Sequence, residues 1–124
     1  MKCTAVIAVA ALVTLLSGCR LNVPTLASGN VEVFESGRPI KTWPLGARNL
    51  EQLSGWLQRN NEGWGHDFVS HVPRVKASLK AADGSFLALN LMGTTVIVYG
   101  APGQFKQTFS PEQIAFLRTS LGIE

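Results

Sequence analysis

The feature that most restricts the fold is a set of alternating aliphatic residues between Val72 and Tyr99. Val75, Ala77 and Leu79 alternate with Arg74, Lys76, Ser78 and Lys80; Leu87, Leu89 and Leu91 repeat the pattern, and Val96 and Val98 follow. Successive strand side chains point to opposite faces, so a period of two reads as strands buried on one side. The same pattern selects the register. A two-residue turn at Asp83-Gly84 would set the leucines against the lysines. A three-residue loop, Ala82-Asp83-Gly84, sets Leu79 against Leu87, Ala77 against Leu89 and Val75 against Leu91, with Gly84 in the left-handed position. Gly93-Thr94 then makes a two-residue turn that pairs Leu91 with Val96 and Leu89 with Val98. The expectation is a three-stranded antiparallel meander with one wholly aliphatic face, which needs a cover.

Two amphipathic segments supply that cover. In SPEQIAFLRTSLG (110–122) Ser110 is the expected N-cap, Pro111 sits in the first turn and Gln113 completes a capping box. Phe109 and Ile114 can staple the entry, Ile114, Leu117 and Leu121 form one stripe, and Gly122 follows the end. In ARNLEQLSGWLQRN (47–60) Leu50, Leu53 and Leu57 share a face with Trp56 beside them. Asn49 with Gln52 resembles a capping box, though Gly46 can also open this helix, and Gly55 suggests close packing on the sheet. Before it, VEVFESGRPIKTW (31–43) reads as a hairpin about Ser36-Gly37, pairing Val33 with Ile40, Glu32 with Lys41 and Glu35 with Arg38. A single bent strand also fits, and Pro39 marks the second strand as an edge. The order β-β-α-β-β-β-α implies an α+β fold: a two-layer sandwich whose antiparallel sheet, hairpin plus three-stranded meander, is covered by two helices.

The chain opens MKCTAVIAVAALVTLLSGC. Lys2 gives a positive start, and Thr4 to Leu16 is almost wholly apolar, too short to span a bilayer but the length of a signal-peptide core. Leu16-Ser17-Gly18-Cys19 resembles the lipobox of bacterial membrane lipoproteins, in which small residues precede a Cys whose thiol takes up a diacylglyceryl group. The resemblance covers these nineteen residues. It implies a signal peptide at 1–18, a mature chain beginning at acylated Cys19, and, because Arg20 rather than Asp follows, sorting to the periplasmic face of the outer membrane. Residues 19–30 read as the lipidated Cys and a tether: the eleven residues 20–30, with Pro24, Gly29 and no periodicity, reach roughly 36 Å at ~3.3 Å per residue. Residues 31–124 read as one domain. Cys3 leaves with the signal, so the mature domain is expected to have neither disulfide nor thiol chemistry. Loss of Lys2 lowers the formal charge from +3 to +2, which is not the concentrated basic face that nucleic acid requires.

The residues able to carry chemistry cluster in NEGWGHDFVSH (61–71). His66, Asp67, Ser70 and His71 include the types of a Ser-His-Asp system, but adjacent His66 and Asp67 should point apart and no strained elbow surrounds Ser70. His66, Asp67 and His71 could also offer a weak three-ligand metal site. The plainer expectation is that Gly63 and Gly65 let Trp64 fold over the core edge. No cofactor and no catalytic residue is expected. The remaining constellation is the second face of the meander, where Arg74, Lys76 and Lys80 stand with Phe86, Ala88, Ile97 and Tyr99. Mixed basic and aromatic surfaces are typical of protein interfaces, and they can also meet anionic lipid head groups or a glycan. Either the tether or the first hairpin, with Trp43, covers this face, or it binds. The reading is therefore a non-enzymatic envelope lipoprotein, held to a membrane by lipid, that binds an envelope protein through Arg74, Lys76, Lys80, Phe86, Ile97 and Tyr99, with Trp64 nearby. Assembly factors, inhibitors and immunity-like proteins belong to that class. The alternative is a metal- or ligand-binding or enzymatic domain using the His66–His71 loop.

Overall fold

The computed structural model describes residues 19–100 and 103–123; the expected signal peptide lies outside them. The elements run β1 (Leu26–Glu35), β2 (Arg38–Pro44), α1 (Ala47–Arg59), β3 (Gly65–His66), β4 (Val75–Ala81), β5 (Phe86–Met92), β6 (Thr95–Gly100), β7 (Gly103–Thr108) and α2 (Pro111–Ser120). All strands join one antiparallel sheet in the order β2-β1-β4-β5-β6-β7-β3. The fold is thus mixed α+β, but the sheet has seven strands where a hairpin and a meander supply five. The additions are β3 and β7. Neither carries an alternating pattern: β7 has one large apolar residue, Phe105, and β3 is two residues long.

The meander keeps the register that its aliphatic pattern demands. Val75, Ala77 and Leu79 face Leu91, Leu89 and Leu87, and the last two face Val98 and Gly100 across β6, while Leu91 faces Val96. The Ala81 amide donates to the Ser85 carbonyl at 2.9 Å, which closes the three-residue loop, and Gly84 has φ of 89°. The first hairpin turns at Ser36 and Gly37, both with positive φ, as a type I′ turn needs. Its ladder differs from the expected one beyond Glu35–Arg38. Phe34 faces Pro39 and Val33 faces Lys41, so Ile40 is an extra, half-exposed residue. A bulge beside Pro39 on the edge strand β2 is where a missing N–H is tolerated.

The aliphatic face holds the core. Leu89, Val98 and Phe105 meet Leu53, Trp56 and Leu57 of α1 and Ile114, Leu117 and Leu121 from α2 and its C-cap in one cluster. In α2, Ser110 accepts from the Gln113 amide at 3.2 Å and the Gln113 side chain accepts from the Ser110 amide at 2.9 Å, the reciprocal pair of a capping box. Trp56 Nε1 donates to the Gln113 carbonyl at 3.0 Å, tying the helices together. The first helix is opened by Gly46 in extended conformation with no side-chain cap, so Asn49 does not cap it. Gly55 faces Arg59 rather than the sheet: a Cβ there would lie 3.1 Å from that guanidinium.

The segment read as a tether is built into the domain. Leu21, Val23 and Leu26 are buried in the core. The Cys19 amide donates to the Trp64 carbonyl at 2.6 Å, the Trp64 amide donates back at 3.2 Å, and the Leu21 amide donates to Asn61 at 2.7 Å. Strand β1 begins at Leu26, and Gly29 sits so close to Leu79 that a Cβ would come within 2.6 Å of its Cδ2. Polar composition and lack of periodicity suggested a loose chain; Leu21, Val23 and Leu26, spaced irregularly, supply enough apolar surface to fix it.

Candidate functional site

Strand order forces the next feature. The chain leaves β3 at one edge and must enter β4, with β7, β6 and β5 between. Four inter-strand steps of ~4.8 Å make about 19 Å, which residues 67–74 cover with room to clear side chains, at ~3.3 Å per residue. The strap bonds to the side chains of Gln104 and Asn90, which belong to the face opposite the aliphatic one, so it crosses that face. Its ends grip the sheet on either side of Ile97. Near β7, the Asp67 amide donates to the Gln104 carbonyl at 2.9 Å, and Gln104 Nε2 donates to the Val69 carbonyl at 2.7 Å. Near β4, the Arg74 amide donates to Asn90 Oδ1 at 3.3 Å, and the Arg74 carbonyl accepts from the Phe34 amide at 2.8 Å. Ile97 and Asn90, paired in register on this face, are both fully buried. The cover is therefore the 67–74 strap, not the N-terminal segment or the hairpin. Trp43 belongs to the opposite side, where its Nε1 donates to the Leu121 carbonyl at 3.0 Å.

Asp67 is the strap's anchor. Its Oδ2 accepts from His71 Nε2 at 2.6 Å and from Gln104 Nε2 at 2.7 Å, and Lys106 Nζ stands 3.7 Å from Oδ1. Burial pushes the carboxyl's pKa up, but the bonds from Gln104, His71 and the Val69 backbone, with His71's charge, outweigh it and hold the group below the usual carboxylate value. The expected divergence of His66 and Asp67 holds, since His66 instead stacks on Phe68 at 5.9 Å and tilts against Phe105 at 4.9 Å. Asp67 and His71 do form a dyad, but among the described residues no hydrogen bond joins Ser70 to His71, and no three His, Cys, Asp or Glu side chains gather as a metal shell. The dyad's geometry suits a clasp that closes the strap on itself.

The expected binding residues divide into three groups. Trp64 is fully buried, packs edge-on against Phe109 at 5.5 Å and donates from Nε1 to the Asn60 carbonyl at 2.7 Å. It plugs the core, as the loop's glycines suggested, and presents nothing to a partner. Ile97 lies under the strap and is equally withdrawn. Arg74 is exposed but lines a separate hollow of about 580 Å³ with Ser70, His71 and Phe34. The other four remain together. Lys76, Lys80, Phe86 and Tyr99 line an open, groove-like hollow of about 1070 Å³ together with Ser28 and Asn30 from β1, and its lining continues onto Pro44, Leu45 and, from α1, Ala47 and Leu50. Phe86 is 73% exposed, and Lys80 Nζ lies 5.7 Å from its ring centre. The polar contribution of β1 was missed because its first residues read as a tether. The strap was missed because nothing in 67–74 shows a period; the one signal was Ile97, a large aliphatic residue on a face of basic and aromatic side chains.

No protein-family model, no curated protein and no solved structure matches this chain. Among the described residues no helix is long and apolar enough to cross a membrane.

Proposed function

We propose that the chain is a small non-enzymatic envelope lipoprotein, anchored through acylated Cys19 at the periplasmic face of the outer membrane, whose groove binds an envelope protein. The domain is read as a two-layer sandwich with both helices on the aliphatic side of the sheet, which leaves the strapped face for recognition. The observation that carries the reading is the groove itself. An exposed Phe and a half-exposed Tyr, the residue types that interfaces favour, stand within a rim of two lysines, with Ser28 and Asn30 as neutral hydrogen-bonding groups. A partner offering carboxylates around an apolar or aromatic group fits it. The anchor rests on the lipobox and its Cys. The mass of the mature N-terminus reports whether the Cys19 sulfur carries a thioether to glycerol.

The test is capture from detergent-solubilised envelopes with the tagged, lipidated protein. Lys76→Glu and Tyr99→Ala should each weaken recovery of a specific companion, while His66→Ala should leave it intact. A companion lost with His66→Ala but retained with Lys76→Glu and Tyr99→Ala would move the binding site to the 66–71 loop and contradict the groove reading.

A further inference from the structure

The packed N-terminus sets how a lipid-anchored domain would meet its bilayer. A tether would let the domain tumble. Instead Cys19 is pinned to Trp64 by two backbone hydrogen bonds, with Leu21 bonded to Asn61 behind it. The pairing of Cys19 with Trp64 is antiparallel. Cys19 therefore lies against the strand that runs on from Trp64 into Gly65 and His66 at the edge of the sheet. Two residues beyond His66 stands Phe68, whose ring stacks on His66 with the planes 8° apart. Phe68 is 91% exposed and Val69 60%. Burial in the fold is therefore not their role, and both side chains stand open to contact from outside the domain. Nor do they hang from a slack loop: the Asp67 carboxylate and the Val69 carbonyl both receive Gln104.

We propose that Phe68 and Val69 form a wedge that enters the phospholipid bilayer beside the acyl groups of Cys19, so that the domain rides directly on the membrane with its β3 edge down. This rests on the lipoprotein reading above. The occupant is the apolar interior of the bilayer rather than its charged surface. Of the charges nearest in sequence to Cys19 and Phe68, Arg20 pairs with Glu62, and Asp67 with His71 and Lys106, which leaves little net attraction for anionic head groups. The wedge should accordingly be indifferent to salt and to lipid charge. The opposite edge of the sheet, β2 with the Glu35–Arg38 turn, is held away from the lipid.

The lipidated full-length product is reconstituted into liposomes of phosphatidylethanolamine and phosphatidylglycerol, with no other protein present. Phe68→Cys and Glu35→Cys versions carry an environment-sensitive fluorophore on the new thiol; Cys19, when acylated, does not react. The label at 68 should brighten severalfold, shift to the blue and be quenched by spin-labelled lipids, unchanged by high salt. The label at 35 should behave as in buffer and be quenched by aqueous iodide. Liposomes that float the protein while the label at 68 stays as iodide-accessible as that at 35 would overturn the wedge and leave the anchor standing. A protein that neither floats nor withholds Cys19 from thiol reagents would remove the anchor, and the wedge with it.

Discussion

Replacing Leu21 by Ala separates a packed N-terminal segment from a tether. Leu21 is 1% exposed and belongs to the core cluster, and its amide is bonded to Asn61. Truncation removes the buried isobutyl group and leaves a cavity that the bonded backbone cannot close, so the cost should fall within the ~2–5 kcal/mol range for such changes. With a urea m value of about 1–3 kcal/mol per molar, a loss of ~3 kcal/mol lowers the midpoint by roughly 1–3 M. The assay is urea unfolding followed by tryptophan fluorescence on an unlipidated Cys19→Ser chain, because Trp64 is the residue to which position 19 is bonded. Asn22→Ala, at an exposed neighbour, serves as the control and should stay within about 0.5 kcal/mol of the parent. If Leu21→Ala is as harmless as its neighbour, residues 19–26 are a tether after all. The fixed geometry between Cys19 and the domain then fails.

Gly29→Ala should destabilise by ~1–3 kcal/mol through overpacking, because its Cβ would press on Leu79, Leu45 and the Ser78 carbonyl; differential scanning calorimetry reads the drop. Ser110→Ala should cost about 1 kcal/mol by removing the N-cap of α2, measured by the same urea titration, while Thr119→Ala on the exposed side of that helix should cost much less. Asp67→Asn should cost roughly 1–3 kcal/mol at neutral pH, since a buried carboxylate receives two strong hydrogen bonds. The folded pKa of Asp67 lies below its ordinary value near 3.8, so its contribution is complete above that pH and is lost as pH falls through the folded value. Stability curves of wild type and Asp67→Asn should therefore converge in acid, and a gap that widened there would refute the assignment.

The meander was legible because alternation is a period-two signal and a slip of one residue would have put Leu87, Leu89 and Leu91 in water. The second helix was legible because Ser110, Pro111 and Gln113 act locally, and the structure shows both capping bonds. What escaped were long-range effects. Strands β3 and β7 exist because the sheet offers an edge to pair with, not because GH or GQFKQT favour extension. Ile40 left its expected partner because a bulge absorbs Pro39 on an edge strand. Of the candidate groove, Lys76, Lys80, Phe86 and Tyr99 followed from strand parity alone. Trp64 and Ile97 did not belong with them, because parity places a side chain on a face and cannot say what crosses above it. The strap that buries Ile97 follows only from strand order, which no local pattern in 67–74 encodes.

The most direct measurement of the central claim is mass spectrometry of the N-terminal peptide from the envelope-purified protein. The account predicts a chain beginning at Cys19 with glyceryl-linked fatty acids on its sulfur, released from membranes when Cys19 is replaced by Ala. A mature chain beginning elsewhere, or a Cys19 sulfur held in a disulfide and bearing no lipid, would contradict it.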